Sequence, residues 1–279
     1  PAFAFPEDAA RALGRVAAYG RWRRRPLGTV VRPDGMDVDA GRAAVEAVLA
    51  DAPADGRWCT TEEAAAVLTA YGVPTARTAF VTTPDEAAAH QRDWGVPVAV
   101  KVATSLHKSD VGGLALDLRT AAAAAEAVTR IRADLARHDL AEHGERLLVQ
   151  EMVTGGVEMV VGVTHDPSFG PIVVTGMGGT LVELLQDVAV RITPITDVDV
   201  ADMLASLRMA PLLRGYRGAP PADVPALTDL LHRVGAMVED LPEIAELDLN
   251  PVMVRPDGRG VVTVDVRLRL ARPGRRTAR

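Results

Sequence analysis

The sequence predicts an α+β protein, because segments with strand character and segments with helical periodicity are mixed without strict alternation. Strict alternation would instead indicate a doubly wound parallel sheet. Two apolar runs at 158–164 and 172–175 are expected to form an antiparallel pair. The hydrophobic content of 48% with only 4% aromatic residues indicates an aliphatic core, and 279 residues suffice for one large or two modest domains.

Composition and charge exclude several classes of function. The net charge of −6 argues against nucleic-acid binding, since a binding face normally makes a domain basic. The single cysteine, Cys59, excludes an internal disulfide framework and fits a reducing cytosol, so we expect a cytoplasmic protein. No apolar run approaches the roughly 20 residues that a membrane helix needs, and we recognise no secretion signal. The chain begins with Pro1 rather than Met, which suggests a fragment or processed chain.

The first region, 1–56, is predicted to end in a turn-rich linker at 51–57 that marks a domain boundary. A helix is expected over 6–20, with apolar positions at Ala9, Leu13, Val16 and Ala17. The basic run 21–26 is interpreted as a solvated linker, with an interdomain contact as the alternative. A second helix is expected over about 40–49.

The region 57–270 is predicted to be one domain made of two subdomains, at about 57–148 and 149–270. Its first helix should begin at Thr60, because Thr60 and Glu63 have the spacing of a capping box. Gly72-Val73-Pro74 then ends that helix. The elements expected after it are strands at 78–82, 96–102 and 113–118 and helices at 84–93 and 121–137.

The second subdomain is predicted to contain most of the strands. An apolar strand at 147–149 runs into the polar segment 150–153, and a Gly-rich loop, GMGGT, occupies 176–180. The remaining strands are expected at 188–193, 244–254 and 261–268, with helices at 197–208 and 223–240. The residues 271–279 read as a basic tail.

The segment 97–113 holds the only two lysines of the chain, Lys101 and Lys108, seven residues apart. Lys101 lies in a short run of β-branched residues that predicts a buried strand, and a buried ammonium is costly unless an anion meets it. The following turn, 107–113, offers a cation, a hydroxyl, an imidazole and two glycines that let backbone N–H groups approach oxygen. These features favour a nucleotide phosphate as the anion, whereas the alternative is a strand end whose lysine snorkels to solvent.

A second group of polar residues lies near the end of the chain. Glu246, Asp248 and Asn250 alternate with leucines, so their side chains share one face of a strand. If the hairpin is centred on the turn 256–259, Asn250 lies opposite Asp265, with Cβ atoms about 5 Å apart. Carboxylate and amide oxygens completed by water and phosphate describe a magnesium site. The alternative is the polar outer face of an ordinary hairpin.

These patterns occur together in the ATP-grasp fold, in which two α+β subdomains clamp ATP between antiparallel sheets. The chain resembles the nucleotide-binding subunit or domain of ADP-forming (NDP-forming) acyl-CoA synthetases, relatives of succinyl-CoA synthetase. The resemblance covers about 57–268 and includes, in order, KVATSLHKSDVGG, LLVQEMVTGGVEMVVGVTHDPSFGP, GMGGTLVELLQDVAVRITP, LLRGYRG and EIAELDLNP. The N-terminal piece resembles the end of the CoA-ligase domain and the linker of single-chain members.

The resemblance implies a set of nucleotide-binding residues. Lys101 would hold the α/β phosphates, Glu158 the ribose hydroxyls, and Asn250 and Asp265 the Mg²⁺ ion with support from Asp248. The adenine edge would be bound by Gln150, Glu151 and the backbone through Val153.

The same resemblance implies a phosphate-carrying loop. His107 would be the phosphate carrier, which suits the nucleophilicity of neutral imidazole. Lys108 belongs to that phosphate loop, and Gly112 and Gly113 would let it swing. Arg191 would neutralise phosphate charge, or else form a structural salt bridge with Glu183 or Asp187.

The expected function is the nucleotide half of an ADP-forming acyl-CoA synthetase, with ATP/ADP and Mg²⁺ as cofactors. The expected partner is a CoA-binding/ligase domain or alpha-type subunit that brings CoA and a carboxylic acid, in an oligomeric assembly. Two alternatives stay open: a non-catalytic nucleotide- or acyl-CoA-sensing module of a fused protein acetyltransferase, and another ATP-grasp ligase that joins a carboxylate to an amine. The HKSD loop argues against the second, since a histidine carrier has no role there. The acyl group and the choice between ATP and GTP are not determined by the sequence.

Overall fold

The computed structural model describes residues 2–103, 112–179 and 187–272, which form two antiparallel sheets flanked by helices. The α+β prediction is therefore confirmed. The N-terminal elements are α1 (Pro6–Arg23), α2 (Val38–Ala50), β1 (Arg57–Trp58) and α3 (Thr61–Ala70). Helix α3 begins with the predicted capping box, in which Thr60 Oγ1 accepts from the Glu63 N–H and Glu63 accepts from the Thr60 N–H. In the described part of the chain, no helix is long and apolar enough to cross a membrane.

A four-stranded sheet, which we call the small sheet, has the strand order β2-β5-β3-β4. Its elements are β2 (Thr78–Val81), α4 (Pro84–Trp94), β3 (Val98–Val102), β4 (Leu114–Leu118), α5 (Ala121–Arg137), a 3-10 turn (Ala141–Gly144) and β5 (Leu147–Glu151). Val98, Val100 and Val102 pack with α5 in a compact core. Because side chains alternate along a strand, Lys101 is directed to the opposite side of this sheet.

A seven-stranded sheet, the large sheet, has the order β1-β11-β9-β6-β7-β8, with β10 paired to β9. Its elements are β6 (Val157–Asp166), β7 (Gly170–Met177), β8 (Val188–Ile192), α6 (Asp197–Ser206), α7 (Ala210–Leu213), α8 (Val224–Asp240), β9 (Ile244–Val254), β10 (Val261–Thr263) and β11 (Val266–Leu270). Helix α8 buries a broad apolar stripe, including Leu227, Leu231 and Val234, against one face of this sheet. The register of β6 and β7 confirms the predicted antiparallel pair.

Two element predictions differ from the structure in informative ways. The strand expected over 261–268 is divided into β10 and β11, with Val264 and Asp265 between them. The helix expected over 197–208 ends at Ser206, and the short helix α7 follows it. The buried Asp187 carboxylate accepts the backbone N–H groups of Arg208 (2.8 Å) and Met209 (2.9 Å), and these contacts hold the segment between the two helices.

Two N-terminal segments pack with the large sheet. β1 pairs with β11, and Val67 and Leu68 of α3 are buried in the core of the large sheet, so 57–75 does not belong to the small subdomain. Helix α2 packs into that same core through Val45, Val48 and Leu49, whereas α1 contributes no buried residue to it. The predicted boundaries follow the order of segments along the chain, whereas β1 pairs with β11 at the far end of the chain. Residues 273–279 of the predicted tail lie outside the described residues.

Candidate functional site

A cavity of about 580 Å³ separates the two sheets. On one side it is lined by β2, β3 and β5 of the small sheet, and on the other by α3 and the segment 263–266. We call it the cleft. Among its lining residues are Phe80, Lys101, Leu148, Gln150, Thr263 and Asp265. The cleft therefore joins the lysine strand to the carboxylate hairpin, two segments that lie more than 150 residues apart in the chain.

Lys101 crosses the cleft. Its Nζ lies 3.4 Å from Asp265 Oδ1, and its side chain is only 8% exposed whereas that of Asp265 is 52% exposed. All five residues of β3 are buried, so the ammonium is held in a rigid apolar strand with its charged end at the cavity. A buried cation that faces a half-exposed carboxylate across an open cavity is well placed to receive an anionic ligand.

Asn250 and Asp265 lie opposite each other, as the sequence predicted. The Asn250 N–H donates to the Asp265 C=O at 3.1 Å, and the neighbouring pair Leu249 and Val266 continues the same register. Asn250 is exposed. One carboxylate and one amide oxygen, both within reach of solvent, suit Mg²⁺, which keeps several of its sites for water and phosphate. In the described ranges no three His, Cys, Asp or Glu side chains cluster as a metal site.

Asp248 lies one pleat further along β9, beside this pair. Burial raises the pKa of its carboxyl, and the nearby charges of Glu246 and Asp265 act in the same direction. Arg267, its register partner on β11, opposes that shift and also lies over the Trp58 ring at 4.6 Å. Asp248 thus pairs with Arg267 across the two strands, as Glu246 pairs with Arg269, and the register of the sheet fixes its position. This position is consistent with a supporting role beside the Asn250–Asp265 pair.

Gln150 and Glu151 end β5 at the connection between the two sheets. Gln150 lines the cleft, and its Nε2 donates to the Val264 C=O at 2.8 Å, which ties the small sheet to the hairpin. Glu151 turns to Arg77 instead: its carboxylate accepts the Arg77 backbone N–H (3.0 Å) and Nε (2.7 Å). The Glu151 side chain is therefore occupied, and the backbone N–H groups of Glu151 and Met152 donate to the C=O groups of Arg77 and Pro97. Val153 does not line the cleft.

Glu158 lies in a different cavity from Lys101. This second cavity, of about 440 Å³, is bounded by the strand ends Val157 and Met177 and by the segment 209–222. A Cβ on Gly179, whose φ is +82°, would come within 2.8 Å of Glu158 Oε2, so the Gly-rich loop packs directly against this carboxylate. The sequence grouped Glu158 with the cleft residues, but the structure does not bring them together in one cavity.

Arg191 lies on β8, the strand at one edge of the large sheet, and does not line the cleft. It lies on the same strand face as the buried Ala189, and its guanidinium is 3.5 Å from Asp199 and 3.8 Å from Asp202 on α6. A salt bridge of Arg191 is therefore present, with Asp199 and Asp202 as the partners. Of the two expected partners, Asp187 accepts from Arg208 and Met209, and Glu183 lies outside the described residues. Because its charge is neutralised away from the cleft, a direct role for Arg191 at phosphate is not supported by the geometry.

The phosphate-carrying loop falls partly outside the described residues. His107 and Lys108 are among the residues not described, whereas Gly112 and Gly113 are described at the start of β4. Gly112 has a φ of +70° and a Cβ there would meet the Asp134 carboxylate at 2.7 Å, so this position favours glycine. The Gly113 C=O accepts the Val102 N–H at 3.0 Å, which closes the base of the loop directly after the lysine strand.

Sequence reasoning missed two features of the cleft. Thr263 is 1% exposed and lines the cavity, and its Oγ1 has no hydrogen-bond partner among the described residues. The sequence around it nevertheless reads as an apolar strand. The second feature is a bridge at the rim, where Arg146 pairs with Glu62 at 2.6 Å and stacks on Phe80 at 3.8 Å. The only sequence signal for the buried Thr263 is its hydroxyl among the valines of 261–264. The Arg146 bridge depends on packing between segments that are distant in the chain.

Residues 51–270 match the ATP-grasp domain family, and the chain belongs to that family. Within it, the chain is a relative of the beta subunits of ADP-forming acetate–CoA ligases. It is 37% identical to acetate–CoA ligase (ADP-forming) II subunit beta of Pyrococcus furiosus, over 79% of this chain and 95% of that protein. It is 32% identical to 4-hydroxybutyrate–CoA ligase (ADP-forming) of Nitrosopumilus maritimus, over 97% of this chain but only 38% of that protein.

A solved structure shows the same fold. It is the dinucleotide forming acetyl-coenzyme A synthetase 1 of Ca. Korarchaeum cryptofilum, in complex with coenzyme A and Mg-AMPPCP, with its phosphohistidine segment pointing towards the nucleotide binding site. The similarity has a TM-score of 0.66 and 35% identity, and covers 81% of this chain and 99% of that chain. The chain thus spans 95% of the Pyrococcus beta subunit but less than two fifths of the length of the Nitrosopumilus ligase.

Proposed function

We propose that the cleft binds ATP or ADP together with Mg²⁺, and that the chain performs the nucleotide half of an ADP-forming acid–CoA ligase reaction. The observation that carries this proposal is the meeting of Lys101 and Asp265 across the cleft, with Asn250 opposite Asp265. A cation from one sheet and a metal-binding pair from the other are what a nucleoside polyphosphate between the sheets requires. The relative with Mg-AMPPCP bound supports the same ligand for this chain.

The residues of the cleft would bind different parts of the Mg-nucleotide according to their charge. Lys101 would leave Asp265 and neutralise the α/β phosphates, while Asp265 and Asn250 hold the metal, which when bound offsets phosphate charge. Gln150, which lines the cleft, would orient the base. Such positioning and charge neutralisation account for most of the catalysis in a phosphoryl transfer.

His107 would carry the phosphoryl group. A neutral ring nitrogen attacks the γ-phosphorus of ATP, a P–N bond forms, and the P–O bond to ADP breaks so that ADP leaves. The reverse transfer makes ATP from ADP, and the overall reaction would be acyl-CoA + ADP + phosphate ⇌ carboxylate + CoA + ATP. The phosphohistidine segment of the solved relative supports this carrier.

The remaining chemistry would belong to a partner. The long ligases contain much more chain than is present here, and the beta-type relative is by name one subunit of a larger enzyme. We therefore propose that a CoA-binding ligase domain or alpha-type subunit supplies CoA and the carboxylic acid, within an oligomer located in the cytoplasm. The single cysteine and the net charge of −6 are consistent with that location.

Replacing Asp265 by asparagine tests this proposal through the metal. In the Asp265→Asn variant we expect the affinity for ADP in the presence of Mg²⁺ to fall about tenfold or more, a cost of about 1.4 kcal/mol or above. With EDTA the affinity should not fall, because the substitution removes the carboxylate that competes for Lys101. Calorimetric titration with and without Mg²⁺ measures both values.

The matched control is Asp257→Asn, which neutralises an exposed carboxylate at the turn of the same hairpin. It should leave the Mg²⁺ dependence of ADP binding as in the wild type. If the Asp265 variant keeps the full Mg²⁺ dependence, the assignment of the metal to this hairpin is wrong.

A further inference from the structure

Helix α1 exposes an apolar face. None of its 18 residues is buried, and Leu13 and Val16 are 69% and 68% exposed. These two residues and Ala9 are spaced by four and three positions, so they form one stripe along the helix. Tyr19 and Trp22 stack at 5.6 Å beyond the end of the stripe. Most helices owe their stability to burial of such a face, so α1 has the sequence of a packed helix.

The segment that follows α1 fixes where the helix leaves the body of the protein. The Thr29 N–H donates to Asp197 Oδ1 (2.8 Å), and the Asp197 N–H donates back to the Thr29 C=O (3.0 Å). Arg25 pairs with Asp202, and Arg32 pairs with Asp240 at 2.6 Å. These contacts hold residues 25–32 against α6 and α8, so the position at which α1 ends is fixed.

The relatives indicate what covers the stripe. The ATP-grasp family match spans 51–270 and so leaves α1 out, whereas the long Nitrosopumilus ligase matches 97% of this chain, which is too much to omit α1. Helix α1 therefore lies outside the ATP-grasp domain but within the stretch of chain that is shared with a long ligase. Because α1 lies outside the ATP-grasp domain and exposes the apolar face that it should bury, we expect this face to pack against the additional chain of the long ligase.

We propose that α1 docks through its Leu13–Val16 stripe onto the additional domain found in long ADP-forming ligases, which rests on the proposed function. The complementary surface is an apolar groove. Arg23 is exposed seven residues after Val16, on the same face of α1, so the rim of that groove carries a carboxylate. With residues 25–32 fastened to α6, α1 holds the additional domain at a fixed position beside the large sheet.

The test uses hydrogen–deuterium exchange of α1 amides in the full gene product and in the chain 1–279. We expect exchange to be about tenfold or more slower in the full product, because docking closes the helix against opening. Val16→Glu in the full product should restore fast exchange. Ala18→Glu adds the same charge to an exposed position on the opposite face of α1 and should keep the protection.

Three results would overturn the docking proposal: equal α1 exchange in the two proteins, equal effects of the two glutamate variants, or a gene product no longer than 1–279. Sedimentation of the chain 1–279 adds a further check, since a dimer that protects α1 would assign the stripe to a second copy. ADP binding is measured in parallel by calorimetry. If neither protein binds ADP, the nucleotide proposal is contradicted but the docking proposal is not, because α1 does not line the cleft.

Discussion

Replacing Lys101 by methionine is expected to weaken ADP binding about 10- to 100-fold, since a hydrogen bond from a charged group contributes about 1.5–3 kcal/mol and each 1.4 kcal/mol is a factor of ten. Methionine retains an unbranched apolar stem, so the buried strand β3 keeps its packing while the charge is removed. Asp265 is half exposed and stays solvated without its partner. The affinity is measured by calorimetry with Mg²⁺ present, and thermal unfolding verifies that the fold is intact.

The control for Lys101→Met is Arg130→Met, which removes an exposed cation from α5 on the other side of the small sheet. That variant should bind ADP like the wild type. Unchanged affinity in the Lys101 variant, with a folded protein, would show that the ammonium does not contact the nucleotide.

The second large effect concerns His107. After incubation with γ-³²P-ATP and Mg²⁺, the wild type should carry acid-labile, base-stable phosphate, and the His107→Ala variant should carry none. The loss is complete because the imidazole nitrogen is the atom that forms the P–N bond. Neither a sensing module nor a ligase that joins a carboxylate to an amine needs this intermediate, so the label separates the three functions.

His138→Ala is the control for labelling, since His138 is exposed at the end of α5. It should be labelled as strongly as the wild type. Label that persists in the His107 variant would move the carrier to another residue. Absence of label from the wild type, both alone and with the CoA-binding domain added, would contradict the phosphohistidine mechanism.

The parts of the site that follow from local periodicity were predictable from the sequence. The two-residue alternation of β9 and the turn at 256–259 determine that Asn250 faces Asp265, and the observed register is the predicted one. The apolar run around Lys101 likewise predicted a buried strand. In both cases, neighbours in sequence supply the information.

The parts that depend on long-range packing were not predictable. Nothing near Arg191 indicates that α6 would bring Asp199 and Asp202 to it. Helix α3 is adjacent in sequence to the small sheet but packs with the large one, because its apolar face matches that core. The position of Glu158 depends on the path of the Gly-rich loop, which the residues of β6 do not specify.

The central claim is that the nucleotide lies in the cleft between the two sheets, and hydrogen–deuterium exchange with and without Mg·ADP tests it most directly. We predict that ADP protects peptides that cover β3 and the segment 261–266, which line the cleft on its two sides. Peptides from 209–222, which border the second cavity, should change much less. Protection confined to 209–222, or none at saturating ADP, would contradict the account.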